Sequence, residues 1–342
     1  MEYAEIMKEI RSKLCGDQEH DLKYLFDAAE RYKDHVHAVI IHKGILRLAY
    51  DMYPDGDKGP VMRIVEHIDS FINNILQKVK IKASEGRLVE AEKMIKSILL
   101  IDDDAIKDKG SDCFWFNDLM EELIYRYKYN PDKEILRDPY VNSKIYFTYA
   151  FILFEQRKYD EALIILETGL KYNPVSVELL IEESEIFKLR KDWAAYKHIT
   201  EMCLEYSYKS KDVARGFRNY GFMFIETADY GAAICCYLLS LYYDNHEAAK
   251  SELYHVSNIM NKAIDEKYYF ENMKQILSNH KLQMGPSKDI LDLAYNIAFE
   301  NEEKCDYKFA LYFYKVCFDL TRDEYIQQKI KSITNMLSGK KH

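Results

Sequence analysis

Four stretches of the chain repeat one pattern of apolar positions. Each opens with a large apolar residue, has alanine fourth, and carries apolar or small residues at the seventh, eighth and tenth to twelfth positions. The stretches are residues 88–102, 159–173, 230–244 and 307–321. Apolar residues at this spacing lie along one face of a helix with about 3.6 residues per turn. The pattern therefore predicts four amphipathic helices, and the alanine lets a neighbouring helix approach closely.

The spacing of these stretches indicates a repeated unit. Ala91 and Ala162 are 71 residues apart, Ala162 and Ala233 are also 71 residues apart, and Ala310 follows after 77. A supersecondary unit that recurs at fixed spacing predicts a solenoid, in which neighbouring units bury each other's apolar faces.

The clearest unit is the 34-residue segment 143–176, which resembles a tetratricopeptide repeat. Such a repeat is a pair of antiparallel helices, and Gln156-Arg157-Lys158 matches its turn. Pro174 ends the second helix, because proline cannot continue it. The residues on the family's characteristic positions are Tyr146, Tyr149, Ala150, Leu153, Tyr159, Ala162, Leu166, Gly169 and Pro174.

Residues 214–247 resemble the repeat well, and residues 177–211, 72–105 and 291–322 resemble it in part. Residues 248–281 read as a further helical pair. The resemblance implies an all-α fold, a right-handed superhelix of antiparallel helix pairs. We predict a helical amino-terminal extension over residues 1–59, a tetratricopeptide-like α-solenoid over 60–320, and a capping helix with a tail over 321–342. Thr321-x-x-Glu324 is interpreted as the capping box of that last helix.

The amino-terminal extension is expected to contain helices at residues 2–14, 21–33 and 35–53, followed by a long helix over 60–83. Helices ahead of such repeats resemble the layout of bacterial peptide-pheromone regulators, which carry a DNA-binding or a three-helix output module there. Residues 1–70 hold ten Lys and Arg against fourteen Asp and Glu, the opposite of a phosphate-binding surface. The net charge of −9 also argues against a nucleic-acid partner.

Composition indicates a large helical protein of a reducing compartment. The chain is 48% hydrophobic with only six prolines, and its seven cysteines show no paired spacing. No apolar run reaches the roughly 18–20 residues that span a bilayer, and the first residues lack the apolar core of a signal peptide. We expect a cytoplasmic protein with no membrane or nucleic-acid partner and an unknown oligomeric state.

Candidate chemistry is weak along the chain. Residues 55–66 have acids at three calcium-loop positions, but Pro60 occupies the position of the loop's glycine and cannot adopt its positive φ. The acidic run 102–104 is interpreted as a solvated helix end. His35 and His42 would lie on one helix face, without further ligands at zinc spacing. They are interpreted, with His37, as surface or partly buried side chains.

Two further motifs also lack a complete site. Cys235-Cys236 is a vicinal pair within a helix, and one thiol is expected to face the core. Gly216 and Gly221 lack the lysine of a phosphate loop. With no nucleophile and base at suitable spacing, we predict a non-catalytic protein without cofactor or metal.

The remaining candidate is a peptide-binding groove. In stacked repeats of this kind the first helix of each pair lines a concave wall through residues not used in packing. We predict that a protein or short peptide binds the side chains of Lys144, Phe147, Phe151, Phe154, Arg215, Arg218, Asn219 and Phe222. Phenylalanines would supply contact area, asparagine would bind peptide backbone, and arginine would bind carboxylate. Two alternatives stay open: the aromatic residues pack against an amino-terminal helix, or the protein is a pheromone receptor acting on a signalling protein through its amino-terminal helices.

Overall fold

The computed structural model describes residues 2–53, 59–99 and 111–338. Over these residues it contains seventeen α-helices and one pair of four-residue strands. The predicted helical fold class is therefore confirmed. Residues 55–58 of the calcium-loop candidate and the acidic run 102–104 lie outside the described residues.

The amino-terminal region contains the predicted helices with shifted boundaries. They are α1 (Tyr3–Ser12), α2 (Gln18–Tyr32), α3 (Ala38–Asp51) and α4 (Met62–Ser84). Residues 33–37 form turns and a bend, so α3 begins three residues later than the pattern predicts. His35 and His42 consequently do not share a helix, and the expected common face is wrong.

Helix α4 forms the first pair with α5 (Leu88–Leu99), as predicted for residues 72–105. Its carboxyl end turns at Glu85 and Gly86, and Gly86 has a φ of 76°. Glycine adopts this left-handed conformation without strain, because it has no Cβ.

A short βαβ unit follows that the helical patterns did not predict. Strands β1 (Ser111–Phe114) and β2 (Glu134–Arg137) pair in parallel, and α6 (Leu119–Tyr129) connects them. The rings of Phe114 and Tyr125 lie 4.7 Å apart, so α6 packs on the strand pair through aromatic contact. Four-residue strands are too short to show a clear period of two.

The clearest predicted repeat is confirmed as a helix pair. Helix α7 (Ser143–Glu155) and helix α8 (Tyr159–Tyr172) are joined by the predicted three-residue turn. A Cβ added to Gly169 would lie 2.7 Å from the Tyr146 Cβ and 2.9 Å from the Leu179 Cδ1. Only glycine allows the helices to approach this closely.

The later helices fall in the segments predicted for them. They are α9 (Val177–Arg190), α10 (Trp193–Tyr206), α11 (Ser210–Glu226), α12 (Tyr230–Tyr243), α13 (Glu247–Met260), α14 (Glu266–Ser278), α15 (Lys288–Glu303) and α16 (Tyr307–Thr321). Helix α11 starts four residues earlier than expected. Nine consecutive residues of α12 are buried, from Ala232 to Ser240, so this helix is a central element of its core.

The turns within four helix pairs, α7–α8, α9–α10, α11–α12 and α15–α16, share one backbone geometry. Their left-handed residues have φ between 55° and 62° and are Arg157, Lys191, Ala228 and Cys305. In three of these turns the next residue is an aspartate whose side chain accepts the N–H three residues later; these are Asp192, Asp229 and Asp306. Each aspartate satisfies a donor that the first helical turn leaves free.

The predicted terminal helix is present as α17 (Glu324–Leu337), but its cap differs from the expected one. Asp323 is the N-cap residue, and its side chain accepts from the Ile326 N–H at 3.0 Å. Thr321 is the last residue of α16, where its hydroxyl donates to the Cys317 carbonyl. The predicted capping box is therefore wrong, because the helix begins two residues later.

The chain forms two compact units. The first comprises Met1–Glu121 and Tyr125–Leu179, and the second comprises Glu122–Ile124 and Leu180–His342. The domain boundaries expected at residues 59 and 320 stay predictions. None of the helices in the described part of the chain is long and apolar enough to cross a bilayer.

Candidate functional site

The four predicted contact residues of α7 lie along one outer face of the first unit. Lys144 is exposed, Phe147 and Phe154 are half-buried, and Phe151 keeps 42% of its surface exposed. The Phe154 ring packs edge-on against Tyr159, with centroids 5.2 Å apart. Phe151 is thus the apolar side chain of this set that offers most surface for contact.

Phe151 lines a cleft between α7 and the carboxyl end of α4. The cleft has a volume of about 250 Å³. The residues that line it are Lys80, Ala83, Ser84, Gly86, Leu88, Thr148, Phe151 and Glu155. Because α4 and α5 connect through the left-handed Gly86, the turn between them forms one wall of this cleft. We call these residues the α7 cleft.

The α7 cleft combines an apolar wall with charges of both signs. Phe151 and Leu88 provide apolar surface, while the exposed Lys80 and Glu155 carry opposite charges. Ligand pockets for whole small molecules usually measure about 300–1,000 Å³. A cleft below that range suits one or two side chains of a larger partner. The sequence pattern did not identify the α4 residues, because they lie at a helix end with little of the repeat pattern.

The predicted contact residues of α11 have a different environment in the second unit. Asn219 is 3% exposed, and its amide donates to the Ser184 Oγ on α9 at 3.1 Å. The expectation that Asn219 takes no part in packing is therefore wrong. Its amide makes a hydrogen bond to a neighbouring helix, and loss of a buried hydrogen bond of this kind lowers stability.

Both arginines of α11 already have acidic or hydroxyl neighbours. Arg215 donates to Glu185 at 2.6 Å, and Arg218 donates to the Ser240 Oγ at 3.2 Å. A carboxylate oxygen of Asp244 lies 3.8 Å from Arg218. Burial, and then the charge of Arg215, lower the pKa of Arg218, yet a guanidinium stays protonated at neutral pH. A ligand carboxylate would have to compete with these neighbours.

Phe222 is half-buried on the same helix. The Lys188 ammonium lies 4.2 Å from its ring centroid, and the Trp193 ring lies 6.2 Å away. These neighbours cover the ring with a cation and an indole, so Phe222 offers less free surface than Phe151.

The other candidates from the sequence are also placed by the structure. His42 is fully buried rather than partly exposed, and its Nε2 lies 2.9 Å from the Ala29 carbonyl oxygen. Burial lowers the pKa of His42 to about 4. Cys235 and Cys236 are both fully buried, so the expectation that one thiol faces the core understated the burial of α12. Burial raises the pKa of Cys235 to about 12.

No protein-family model matches the sequence, and no curated protein matches it. The fold is similar to a tetratricopeptide repeat protein from Parabacteroides merdae ATCC 43184, with a TM-score of 0.38, 12% identity, and coverage of 92% of this chain and 99% of that one. It is also similar to the TPR domain of P58(IPK), with a TM-score of 0.28, 13% identity, and coverage of 98% of both chains. TM-scores this low support no argument about the fold. The assignment of the fold therefore rests on the helix pairs described above.

Proposed function

We propose that this protein is a non-catalytic scaffold that binds a segment of another protein, or a short peptide, through the face of α7. The observation that carries the proposal is the α7 cleft, where an exposed phenylalanine lies in a concave apolar site. Aromatic side chains that bury little surface in the free protein gain most when a partner covers them.

The charges around the cleft support a partner of defined chemistry. Glu155 would attract a basic side chain of the peptide and Lys80 an acidic one, while Phe151 and Leu88 contact an apolar side chain between them. Lys144, Phe147 and Phe154 extend the same face of α7. The proposed ligand is therefore a peptide with an apolar residue flanked by charges of opposite sign.

The α11 residues have a smaller part in this proposal. Glu185 lies 2.6 Å from Arg215, and Asn219 bonds to Ser184, so both side chains are already used inside the second unit. We assign Arg215, Arg218, Asn219 and Phe222 to the packing of α11, and assign the first contact with the peptide to α7.

A displayed library of random peptides, selected on the purified full-length protein, tests the proposal. We expect wild type to enrich peptides in which an apolar residue is flanked by a basic residue on one side and an acidic residue on the other. Phe151→Ala should lower the affinity for the selected peptides by more than about tenfold, since a central aromatic contact contributes about 2 kcal/mol or more to binding. Glu155→Lys should shift the selected charge from basic to acidic.

Phe270→Ala is the matched control, because Phe270 is 54% exposed on α14 of the second unit. It should leave both the selected sequences and their affinities unchanged. Selection of the same peptides with equal affinity by wild type and Phe151→Ala would place the binding site elsewhere.

A further inference from the structure

Three different metal-binding side chains meet at the start of α2, apart from the α7 cleft. The Cys15 Sγ lies 3.4 Å from the His20 Nδ1 and 3.4 Å from the Asp21 Oδ1. The His20 Nδ1 and the Asp21 Oδ1 are also 3.4 Å apart. The three donor atoms therefore form a nearly equilateral triangle, and all come from one seven-residue segment of the chain.

The local fold holds this triangle in place. Asp21 is 2% exposed, and its two carboxylate oxygens accept the N–H groups of Cys15 at 3.0 Å and Gly16 at 2.9 Å. Gly16 has a φ of 88°, which turns the chain back toward α2. Asp17 caps α2 by accepting the His20 N–H at 2.8 Å, so the histidine backbone is fixed as well.

Solvent reaches two of the three side chains. Cys15 and His20 are exposed, so an ion can reach their donor atoms from solvent.

The same contacts argue against a nucleophilic triad. In a thiol or hydroxyl triad one histidine nitrogen contacts the nucleophile, and the other contacts the acid. Here the Nδ1 of His20 lies near both the thiol and the carboxylate. A proton relay across the ring is not possible in this arrangement.

The dimensions agree with three corners of a zinc tetrahedron. Zinc binds sulfur at about 2.3 Å, imidazole nitrogen at about 2.0–2.1 Å and carboxylate oxygen at about 2.0–2.2 Å. In a tetrahedron these lengths place nitrogen and oxygen about 3.3–3.5 Å apart, and sulfur about 3.5–3.7 Å from each of them. The observed separation of 3.4 Å between nitrogen and oxygen lies within that range, and the two sulfur separations of 3.4 Å need only a small increase to reach theirs. We propose that Cys15, His20 and Asp21 bind one zinc ion through Sγ, Nδ1 and Oδ1.

Binding would replace the thiol proton by the metal. The Cys15 S–H would lose its proton to solvent as the Zn–S bond forms, because zinc binds the thiolate. Three protein ligands leave the fourth position to water or to a donor from a bound molecule.

His20 also lines an open cleft of about 800 Å³, through which the fourth position can be reached. Asp17, Glu19 and Asp27 line the same cleft together with Lys23 and Arg63, so its wall carries charges of both signs. The proposed ion therefore lies beside a solvent-filled space large enough for a peptide side chain or a small anionic ligand.

Titration of the metal-free full-length protein with Zn²⁺ and with Co²⁺ tests the site. We expect one ion per chain, and the Co²⁺ form should show the visible absorption of a four-coordinate site with thiolate-to-cobalt charge transfer. Cys15→Ser and His20→Asn should each weaken binding by more than about 100-fold, beyond the 10–100-fold effect of losing an outer-shell partner.

Cys305→Ser and His255→Gln are the controls, because both residues are exposed in the second unit. They should bind zinc as wild type does, and circular dichroism should show unchanged helicity in all four variants. Absence of stoichiometric binding in wild type would overturn the proposal. Equal affinity in Cys15→Ser and wild type, or equal loss in Cys305→Ser, would also overturn it and indicate an adventitious ion only.

Discussion

Helices α7 and α11 occupy corresponding positions in the repeated pattern. The side chains on their outer faces nevertheless differ in exposure and in hydrogen bonding. Residues 71 apart correspond, so Thr148 matches Asn219 and Phe151 matches Phe222. On α7 the Thr148 hydroxyl is buried and has no hydrogen-bond partner among the described residues, and Phe151 is 42% exposed. On α11 Asn219 bonds to Ser184, and Phe222 lies under Lys188.

The difference comes from the first helix of the preceding helix pair, which is α4 for α7 and α9 for α11. Helix α9 carries Ser184 and Glu185, whose polar side chains bond to Asn219 and Arg215 of α11. The end of α4 and the turn after it place Ala83 and Gly86 opposite α7, with a cleft between them. A position on the first helix is thus available to a partner only where the preceding helix leaves it uncovered.

The largest effect should come from removing the polar contact of α11. Asn219→Ala leaves the acceptor capacity of Ser184 buried and unused, and should lower the free energy of unfolding of the second unit by about 1–3 kcal/mol. Thr148→Val removes a hydroxyl that has no partner among the described residues, so it should change the stability of the first unit by less than about 0.5 kcal/mol.

The chain offers a separate fluorescent reporter for each unit, since Trp115 lies in the first and Trp193 in the second. Urea unfolding is followed in Trp115→Phe and Trp193→Phe backgrounds to read each unit alone. A double-mutant cycle with Ser184→Ala should show coupling with Asn219. Equal stability losses in Asn219→Ala and Thr148→Val would contradict the conclusion that only the α11 side chain makes a stabilising polar contact.

Substitution of the two corresponding phenylalanines, Phe222 and Phe151, should produce a smaller difference in stability than substitution of Asn219 and Thr148. Phe222→Ala removes a half-buried ring that contacts Lys188 and Trp193, and should cost about 2 kcal/mol, below the about 3–5 kcal/mol of a fully buried phenylalanine. Phe151→Ala should cost less than about 1 kcal/mol. The same urea experiments measure both, and a larger loss for Phe151→Ala would mean that its ring packs inside the protein rather than awaiting a partner.

The smallest effect should be equal in the two repeats. Arg157 follows α7 and Ala228 follows α11, and both adopt left-handed φ near 60°. Glycine accepts this conformation without a Cβ clash, so Arg157→Gly and Ala228→Gly should each raise stability by up to about 1 kcal/mol. The shift of the urea midpoint measures this, and a decrease in either variant would show that side-chain contacts at that turn outweigh the backbone strain.

Much of the fold follows from local sequence patterns. Apolar spacing identifies the helices, and Pro174 marks a helix end without reference to distant residues. The strand pair around α6 was not predicted, because it depends on a parallel pairing across more than twenty residues of sequence. The cap of α17 was misplaced because Thr321 and Asp323 both have suitable side chains, and only the extent of α16 decides between them.

The candidate site was less predictable for a related reason. The pattern correctly places Phe151 on an exposed helix face, but the burial of Asn219 depends on a serine 35 residues earlier. The cluster of Cys15, His20 and Asp21 has no repeat pattern, and the close approach of its donor atoms depends on the turn at Gly16.

The burial of α12 has a practical consequence for chemical labelling. Cys235 and Cys236 are both fully buried, and burial raises the pKa of each thiol, so neither presents a reactive thiolate at neutral pH in the folded state. An alkylating reagent can reach them only after the helices packed around α12 have separated. The rate at which a reagent modifies these two thiols therefore measures how often the core of the second unit opens.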